Sequence, residues 1–155
     1  MAAPAMRIGL ISDTHGLLRP QALEALAGVE RIIHAGDIGN AAVLAALEAI
    51  APVDVVRGNN DTGAWAASIP YSQTLDHGGL LIHLLHDINE LKGRMPPVHI
   101  VIAGHSHRPL VQERDGVLRV NPGSAGPRRF KLPVTVGFLE IAEGKATATI
   151  RELAV

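Results

Sequence analysis

The stretch RIGLISDTHG at residues 7–16 decides the fold, because a short apolar run ends abruptly in acidic, hydroxyl and imidazole side chains. The apolar part is too short for a helix and predicts a buried β-strand. The next apolar runs, RIIHA at 31–35 and VDVVR at 53–57, end in the same manner, in GD and in GNND. Strands that repeat this ending predict a polar edge shared by a whole sheet.

Two helical segments separate these three strands. Residues 20–28 (PQALEALAG) have Pro20 in the first turn and Gly28 at the stop. The second segment, AAVLAALEAI at 41–50, follows Asn40, which is a favourable capping residue. Strands that alternate with helices predict parallel pairing with helical crossovers.

The second half of the chain is richer in strands. GLLIHLLH at 79–86 and VHIVIA at 98–103 are predicted strands, with a brief helix or loop at 87–94 between them. Two hairpin patterns follow, with turns at the DG of 115–116 and the EG of 143–144. We therefore expect a parallel first half and an antiparallel second half, stacked as two sheets of an α/β protein.

Length and composition exclude several classes of protein. We expect one domain over residues 1–155, with a flexible N-terminal tail at 1–6. The lack of cysteine excludes a thiol nucleophile, an iron–sulfur cluster, a zinc ribbon and disulfides. A formal net charge of −1 and only four aromatic residues argue against a nucleic-acid surface. Because no apolar run is long enough for a membrane span and the first residues lack a basic targeting region, we expect a cytoplasmic protein.

The polar ends of the predicted strands share the chemistry of metal ligands. Two carboxylates, one amide and four of the eight histidines occur there: Asp13, His15, Asp37, Asn59, His86, His105 and His107. Two metal ions need about eight protein contacts, which seven residues supply if one carboxylate bridges the ions. Oxygen and nitrogen ligands without thiolate suit Mn²⁺, Fe or Zn²⁺. The alternative, a set of unrelated turn residues, does not explain so consistent a choice of residue types.

These motifs resemble those of the calcineurin-like metallophosphoesterase superfamily, and most closely its small single-domain phosphodiesterases. The matching segments are D-x-H at 13–15, GD at 36–37, GNND at 58–61, the histidine at 86, GHSH at 104–107 and NPGS at 121–124. The resemblance runs from about Ile8 to Arg129. It implies an α/β fold in which a two-sheet β-sandwich is flanked by helices in four α-β-β-α layers, with a dinuclear site at one end.

The resemblance also implies a role for each ligand. One metal would be held by Asp13, His15, Asp37 and His107, and the second by Asp37, Asn59, His86 and His105, so that Asp37 bridges them. Asp37, Asn59 and Asn60 would act on the reacting phosphate, which a hydroxide between the metals attacks in line. Two divalent ions are implied, with Mn²⁺ preferred and Fe, Zn²⁺ or Ni²⁺ as alternatives.

Two residues depart from the family pattern. Many relatives have histidine where this chain has Asn60, and an amide donates a hydrogen bond but does not transfer a proton at neutral pH. We therefore expect a preference for substrates with good leaving groups. Asp87 stands where relatives usually have glycine, and we expect it to cap the next helix rather than to orient a ligand histidine.

The remaining polar residues have weaker assignments. The other four histidines are expected to be structural or exposed: His34, His77, His83 and His99. NPGS at 121–124 is either a tight turn or a segment that abuts the site. We expect Arg128 and Arg129 to be surface charges rather than ligands of a substrate phosphate.

Together these features predict a metal-dependent phosphoesterase, and specifically a phosphodiesterase, acting on a small phosphorylated substrate. The alternatives are a phosphomonoesterase, a nuclease, or a non-catalytic scaffold, since this fold also serves as a protein-interaction subunit in eukaryotic endosomal sorting. A scaffold can lose ligands, whereas all seven expected positions are intact here. We expect no stable nucleic-acid binding and no membrane association, and the sequence leaves open whether the chain forms a homo-oligomer.

Overall fold

The computed structural model describes residues 5–155, which contain ten strands and two α-helices. The strands are β1 (Met6–Ile11), β2 (Arg31–His34), β3 (Val53–Val55), β4 (Ser72–His77), β5 (Leu80–Leu85), β6 (Ile100–Ile102), β7 (Leu110–Arg114), β8 (Val117–Asn121), β9 (Thr135–Ala142) and β10 (Lys145–Glu152). The α-helices are α1 (Pro20–Leu26) and α2 (Ala41–Glu48), and short 3-10 helices span Ala64–Ala66 and Ile88–Leu91.

The strands form two mixed five-stranded sheets, in the orders β10-β9-β1-β2-β3 and β4-β5-β6-β8-β7. The predicted parallel pairing of β1, β2 and β3 is confirmed, with α1 and α2 as the crossovers. The predicted division into a parallel and an antiparallel half is wrong. The β9–β10 hairpin returns to pair antiparallel with β1, while β5, β6 and β8 run parallel in the second sheet.

The two sheets enclose the main apolar core. Alternation along each strand sends every second side chain to the inner face. The inner face of the first sheet contributes Ile8, Leu10 and Ile33, and that of the second contributes Ile82, Ile100 and Ile102. Each of these side chains is buried, and burial of a side chain of this size stabilises the fold by about 1.5–3 kcal/mol.

The outer faces of the two sheets are covered unequally. Leu26 of α1 and Leu47 of α2 pack on the outer face of the first sheet and are fully buried. On the second sheet the outer cluster of Leu85, Val101 and Ala103 is covered by the 3-10 helix Ile88–Leu91. The expected four layers are present, but among residues 5–155 this single turn is the helix of the fourth layer.

Local capping and turn residues behave as the sequence predicts. The Asn40 side chain accepts a hydrogen bond from the Val43 amide (3.2 Å) at the start of α2. At the turn between β7 and β8, Asp115 and Gly116 both have positive φ, of 52° and 78°. Two consecutive positive φ angles define the type I′ turn expected for an Asp-Gly hairpin.

The strand β4 was missing from the sequence prediction. Its residues, SQTLDH, alternate between exposed and half-buried positions and include one aliphatic side chain, so no apolar run marks the strand. It pairs antiparallel with β5 along six residue pairs. The expectation that His77 is an exposed turn residue is wrong, because it ends β4 with its Nε2 atom 2.9 Å from Asp54 Oδ2.

The N-terminal prediction is also adjusted at one residue. Met6, which we placed in the tail, begins β1 and pairs with Ile141 of β9. Ala5 is exposed and precedes the strand, and residues 1–4 of the predicted tail lie outside the described residues. Within residues 5–155, the helices are all too short to cross a membrane.

Candidate metal centre

Six of the seven predicted ligands lie in two adjacent groups where β1, β2, β5 and β6 end. The first group is Asp13, His15 and His107, and the second is Asp37, His86 and His105. Within each group, one nitrogen or oxygen atom from every residue lies within 4.8 Å of the others. The loops that the sequence scatters over the chain therefore meet at one edge of the sandwich.

Asp13 is a fully buried carboxylate whose two oxygens differ in their contacts. Its Oδ2 atom accepts hydrogen bonds from Ser12 Oγ (2.7 Å) and the His105 amide (3.1 Å). Its Oδ1 atom has no hydrogen-bond partner among residues 5–155 and lies 3.4 Å from His107 Nε2 and 3.8 Å from His15 Nε2. One oxygen thus holds the side chain in place, and the other faces two imidazoles.

Asp37 lies between the two groups. The Asn60 backbone amide donates to its Oδ1 atom (3.0 Å), and the Asn60 side-chain amide donates to Oδ2 (3.2 Å). The same Oδ2 atom lies 3.1 Å from His86 Nε2 of its own group and 3.8 Å from His15 Nε2 of the other. A carboxylate that faces histidines of both groups has the placement of a bridging ligand.

His86 and His105 are oriented through their second ring nitrogens. His86 Nδ1 donates to the Ala35 carbonyl (2.7 Å), which leaves Nε2 directed at Asp37. His105 Nδ1 lies 3.3 Å from His86 Nε2, and its Nε2 atom lies 3.7 Å from Asp87 Oδ2. Outer contacts of this kind orient metal-binding imidazoles.

The donor set of these two groups fits divalent metal ions. Asp13 Oδ1 and His15 Nε2 are buried, close together and without a hydrogen-bond partner within residues 5–155. Buried polar atoms normally have partners, so unpaired atoms that face one another indicate a missing ligand. A shell of carboxylate oxygens and imidazole nitrogens suits Mn²⁺, Fe or Zn²⁺.

Comparison with known proteins identifies the family of the chain. Residues 6–144 match the calcineurin-like phosphoesterase superfamily domain. The chain belongs to this superfamily. A probable metallophosphoesterase of Methanothermobacter thermautotrophicus is 34% identical over 159 residues, which cover 94% of this chain and 91% of that protein.

Solved structures extend the likeness to the fold. An archaeal phosphodiesterase is 26% identical, with a TM-score of 0.74 over 94% of this chain and 100% of the other. Vacuolar protein sorting 29 from Cryptosporidium parvum is 19% identical, with a TM-score of 0.77 over 97% of this chain and 99% of the other. At that identity the second likeness concerns the fold alone.

The charges of the candidate ligands follow from burial and ion pairing. Burial disfavours the charged form of Asp37, but hydrogen bonds from His86 and Asn60 outweigh it and lower its pKa to about 2. Burial likewise opposes ionisation of Asp13, yet contacts such as that with His107 lower its pKa. Burial alone would lower the pKa of His86, but Asp37 and Asp13 raise it to about 9. In the metal-free protein His86 is therefore protonated at neutral pH, and a metal ion must displace that proton.

Two glycines allow the backbone to approach the carboxylates of Asp37 and Asp13 in the candidate metal centre. A Cβ atom on Gly58 would collide with Asp37 Oδ1. A Cβ atom on Gly104 would collide with Ser12 Oγ and come within 2.7 Å of Asp13 Oδ2. The glycines that precede the polar motifs are thus required by close packing against the candidate ligands.

Asp61 is a structural residue of the site that the sequence analysis did not single out. It is buried and accepts hydrogen bonds from the amides of Ile38 (3.1 Å), Gly39 (3.0 Å) and Gly58 (2.9 Å). It therefore ties the loop after β2 to the loop after β3. Its place at the end of GNND was visible, but its three backbone partners depend on the tertiary structure.

The NPGS segment is a turn that also holds the site together. Asn121 Nδ2 donates to the Gly104 carbonyl (3.0 Å) and Ser106 Oγ (3.1 Å). Ser124 Oγ donates to the Asp13 carbonyl (3.0 Å). Both readings that the sequence left open are therefore present.

Asp87 combines the two roles that the sequence analysis set against each other. Its Oδ1 atom accepts from the Asn89 amide (3.0 Å), which confirms that it caps the 3-10 helix Ile88–Leu91. Its Oδ2 atom faces His105 Nε2. One carboxylate thus starts the covering helix and also faces a candidate ligand.

The two groups consist of carboxylate and imidazole side chains, and the other predicted residues carry amide or guanidinium groups. Asn59 is exposed and lines a cavity of about 290 Å³ together with His86 and His105. The expectation that Arg128 and Arg129 lie on the surface is confirmed, because both are exposed.

His34 is structural, as predicted, and lies beneath the first group. It is fully buried, its Nδ1 atom accepts from the Gly36 amide (3.0 Å), and its Nε2 atom lies 3.0 Å from Thr14 Oγ1. Burial lowers the pKa of His34 to about 4, so that it is neutral at physiological pH.

The backbone at the ligands has an unusual conformation. Five of the six residues in the two groups have positive φ angles, between 46° and 71°: Asp13, His15, Asp37, His105 and His107. Non-glycine residues seldom adopt this left-handed region, although Asp and His do so more often than most. The turn after each strand fans alternate side chains towards one point.

Proposed function

We propose that the protein is a phosphodiesterase that hydrolyses a small phosphodiester at a centre of two divalent ions, with Mn²⁺ as the preferred ion. The carrying observation is the position of Asp37, whose Oδ2 atom lies 3.1 Å from His86 and 3.8 Å from His15. A carboxylate directed at both groups supports two neighbouring ions rather than two separate sites. The archaeal phosphodiesterase, which is 26% identical to this chain, supports hydrolysis of a phosphodiester as the reaction class.

The two ions, when bound, supply an acidified water molecule and positive charge beside the phosphoryl oxygens. The chain contributes the positions of the donors. In this proposal Asp13, His15 and His107 hold one ion, His86, His105 and Asn59 hold the other, and Asp37 is shared between them. The outward hydrogen bonds of Asp13 and His86 keep their inward atoms in place, so little reorganisation is needed when an ion enters.

The test is hydrolysis by chelator-treated protein reloaded with Mn²⁺, Fe²⁺, Zn²⁺ or Ni²⁺ in turn. We expect turnover of bis-p-nitrophenyl phosphate to require metal and to exceed that of p-nitrophenyl phosphate. Asp37→Ala should lower kcat/KM about a thousandfold or more, because both ions lose a ligand. Asp76→Ala, an exposed carboxylate of β4, is the matched control and should leave kcat/KM unchanged.

Each outcome of this test has a distinct meaning. Absence of metal-dependent turnover with every ion contradicts the enzyme proposal. Faster hydrolysis of the monoester contradicts the phosphodiesterase assignment but keeps the phosphoesterase. Full turnover by Asp37→Ala contradicts the shared ligand.

The side chain of Asn60 affects which leaving groups the proposed reaction favours. Both of its amide nitrogens donate to Asp37, and an amide side chain does not transfer a proton at neutral pH. We therefore expect kcat/KM to fall as the leaving-group pKa rises across a series of substituted aryl phosphodiesters. A flat dependence, measured where chemistry limits the rate, would count against this assignment.

A non-catalytic scaffold is the second candidate, and it rests on the fold shared with vacuolar protein sorting 29. The convergence of six candidate ligand side chains, of which Asp13 and His15 have unpaired inward atoms, favours the enzyme. A scaffold would bind the ions without accelerating hydrolysis beyond that of the free metal. The hydrolysis test above therefore separates the two candidates.

A further inference from the structure

The thin outer layer on the second sheet leaves a cavity beside the candidate metal centre. The 3-10 helix Ile88–Leu91 covers the outer cluster around Leu85 and Val101, and within residues 5–155 it is the helix that packs there. Next to it lies a cavity of about 540 Å³, bounded by Ile88, Ala103, Leu110 and Leu132. This volume is within the range typical of small-molecule sites, about 300–1,000 Å³.

The cavity is continuous with the second ligand group. Gly104, His105 and Ser106 form part of its wall, as does Asp87. His105 belongs to the group around Asp37, so a molecule bound to that group has the cavity at its side. A phosphate at the metal centre therefore has room for one organic substituent in this direction.

The walls of the cavity define the chemistry of its occupant. Aliphatic side chains and the ring of Pro109 supply apolar surface, and Arg108 and Arg119 supply two guanidinium groups. The Arg119 Nε atom is buried and has no hydrogen-bond partner in the described part of the chain. Guanidinium groups stack on flat rings and bind acceptors, and they repel cations. The cavity thus suits a neutral or anionic group with a flat ring.

We infer that this cavity binds the ester substituent that remains on phosphorus after hydrolysis, a ring-bearing apolar group of phenyl size or larger. The inference rests on the proposed hydrolysis of phosphodiesters and specifies which diesters are preferred. A small alkyl substituent leaves the apolar walls in contact with water, whereas an aromatic substituent removes them from it. The cavity is then a determinant of substrate specificity, separate from the ligands of the ions.

The first test compares two diesters that share one leaving group, methyl 4-nitrophenyl phosphate and phenyl 4-nitrophenyl phosphate. We expect kcat/KM of the metal-loaded protein to be about 10–30-fold higher for the phenyl ester, from burial of the ring. Leu110→Glu, which places a carboxylate in the wall, should reduce this ratio to about that of the uncatalysed reactions. Leu132→Glu should do the same from another segment of the chain.

Val111→Glu is the matched control for Leu110→Glu. The two residues are adjacent in β7 and similarly exposed, at 43% and 39%. Val111 points to the opposite face of the strand and does not line the cavity. The phenyl-to-methyl ratio of Val111→Glu should equal that of the unmodified protein.

A binding measurement separates this inference from the proposed function. Phenyl phosphate should bind the metal-loaded protein about tenfold more tightly than methyl phosphate by calorimetry, and Leu110→Glu should remove the difference. If neither diester is hydrolysed but this binding difference is seen, the phosphodiesterase proposal fails and the cavity inference stands. If Leu110→Glu leaves both the kinetic ratio and the binding ratio unchanged, the cavity inference is overturned even where turnover is normal.

Discussion

Asp13 and Asp37 head two neighbouring ligand groups, yet their surroundings differ. Asp13 and His107 are almost fully buried, at 0% and 2% exposure, and the loops after β1, β6 and β8 close over them. In the Asp37 group, the His105 side chain is 43% exposed and lines two cavities. Each group has two buried members, and the exposed fraction of its remaining histidine side chain is 21% for His15 in the first group and 43% for His105 in the second. The second group is therefore the more accessible to solvent.

This difference assigns unequal tasks to the two positions. In the first group, outer hydrogen bonds hold the buried Asp13 carboxylate in place, so it loses little freedom on binding an ion, which favours slow release. At the Asp37 group the ion competes with the proton of His86, whose pKa is about 9, so its affinity falls as the pH falls. We therefore predict that an ion bound at the Asp13 group is held more tightly than one bound at the Asp37 group.

The largest effect is expected when one histidine is removed from each group, which tests the difference between the two positions directly. His107→Gln should lower kcat/KM by about 10²–10³-fold, beyond the roughly 10–100-fold typical of outer-contact residues, and added metal should not restore it. His105→Gln should weaken binding at the exposed position, so that excess Mn²⁺ restores a large part of the rate. Metal titrations monitored by hydrolysis rate and by metal content measure both effects.

The two variants form a matched pair, because both histidines belong to GHSH at 104–107 and both have positive φ. Equal rescue of both by excess metal would contradict the assignment of a tight and an exchanging position.

The buried His34 beneath the first group gives the next largest effect. Its pKa is 6.5 in the unfolded chain and about 4 in the folded protein, so between these pH values the unfolded state binds a proton that the folded state does not. The stabilisation is therefore fully present above pH 6.5, and about 3 kcal/mol is lost as the pH falls from 6.5 to 4. Urea unfolding of metal-free His34→Gln should lack this part of the acid dependence.

The control for that measurement is His99→Gln, since His99 is exposed. Its unfolding free energy should keep the acid dependence of the unmodified protein. If His34→Gln kept it as well, the pKa shift would have to be assigned to another residue.

Substitution of Gly104 tests the surroundings of Asp13, and substitution of Gly58 tests those of Asp37. Gly104→Ala should destabilise the fold by about 1–3 kcal/mol and reduce occupancy of the tight position, because its Cβ atom meets Ser12 and Asp13. Gly58→Ala should affect the Asp37 group in the same way. Thermal unfolding and metal content report both changes.

Gly116→Ala separates loss of space from loss of backbone freedom. Gly116 has φ of +78° but nothing within 4 Å of the added Cβ. We expect Gly116→Ala to lower the free energy of unfolding by about 1 kcal/mol and to leave the metal content unchanged. An unchanged metal content in Gly104→Ala and Gly58→Ala would show that these glycines do not shape the site.

The smallest effect is expected at Asp87, and it tests whether the charge of this residue contributes to metal binding at the exposed group. Asp87→Asn keeps an acceptor for the Asn89 amide but removes the charge that faces His105. We expect about tenfold weaker metal binding at the exposed position with unchanged thermal stability. Asp87→Ala should add a loss of about 1 kcal/mol of stability from the missing cap.

The sequence predicted the convergence of ligands because apolar runs and their polar ends are local signals. D-x-H, GD and GHSH follow buried strands, and parallel pairing brings such ends together within each sheet, while stacking of the two sheets brings them to one edge. It did not predict β4, whose solvated residues lack an apolar run. It also missed the return of β9 to β1, a pairing between the two ends of the chain that no local pattern encodes.

Side-chain partners were predicted less well than residue types. Asp61 binds three amides from two loops, and Asp87 serves both a helix cap and His105, contacts that require the folded arrangement. The sequence analysis set a helix cap against contact with a ligand histidine for Asp87, and its position allows both.

The left-handed backbone at five of the six grouped ligands has a consequence for evolution. A non-glycine residue there costs roughly 1–2 kcal/mol, so five of them consume an amount comparable to the net stability of a whole domain. Glycine at any of these positions would relieve that cost and remove a ligand. Selection for thermal stability alone would therefore favour glycine at these turns, at the expense of the candidate metal centre.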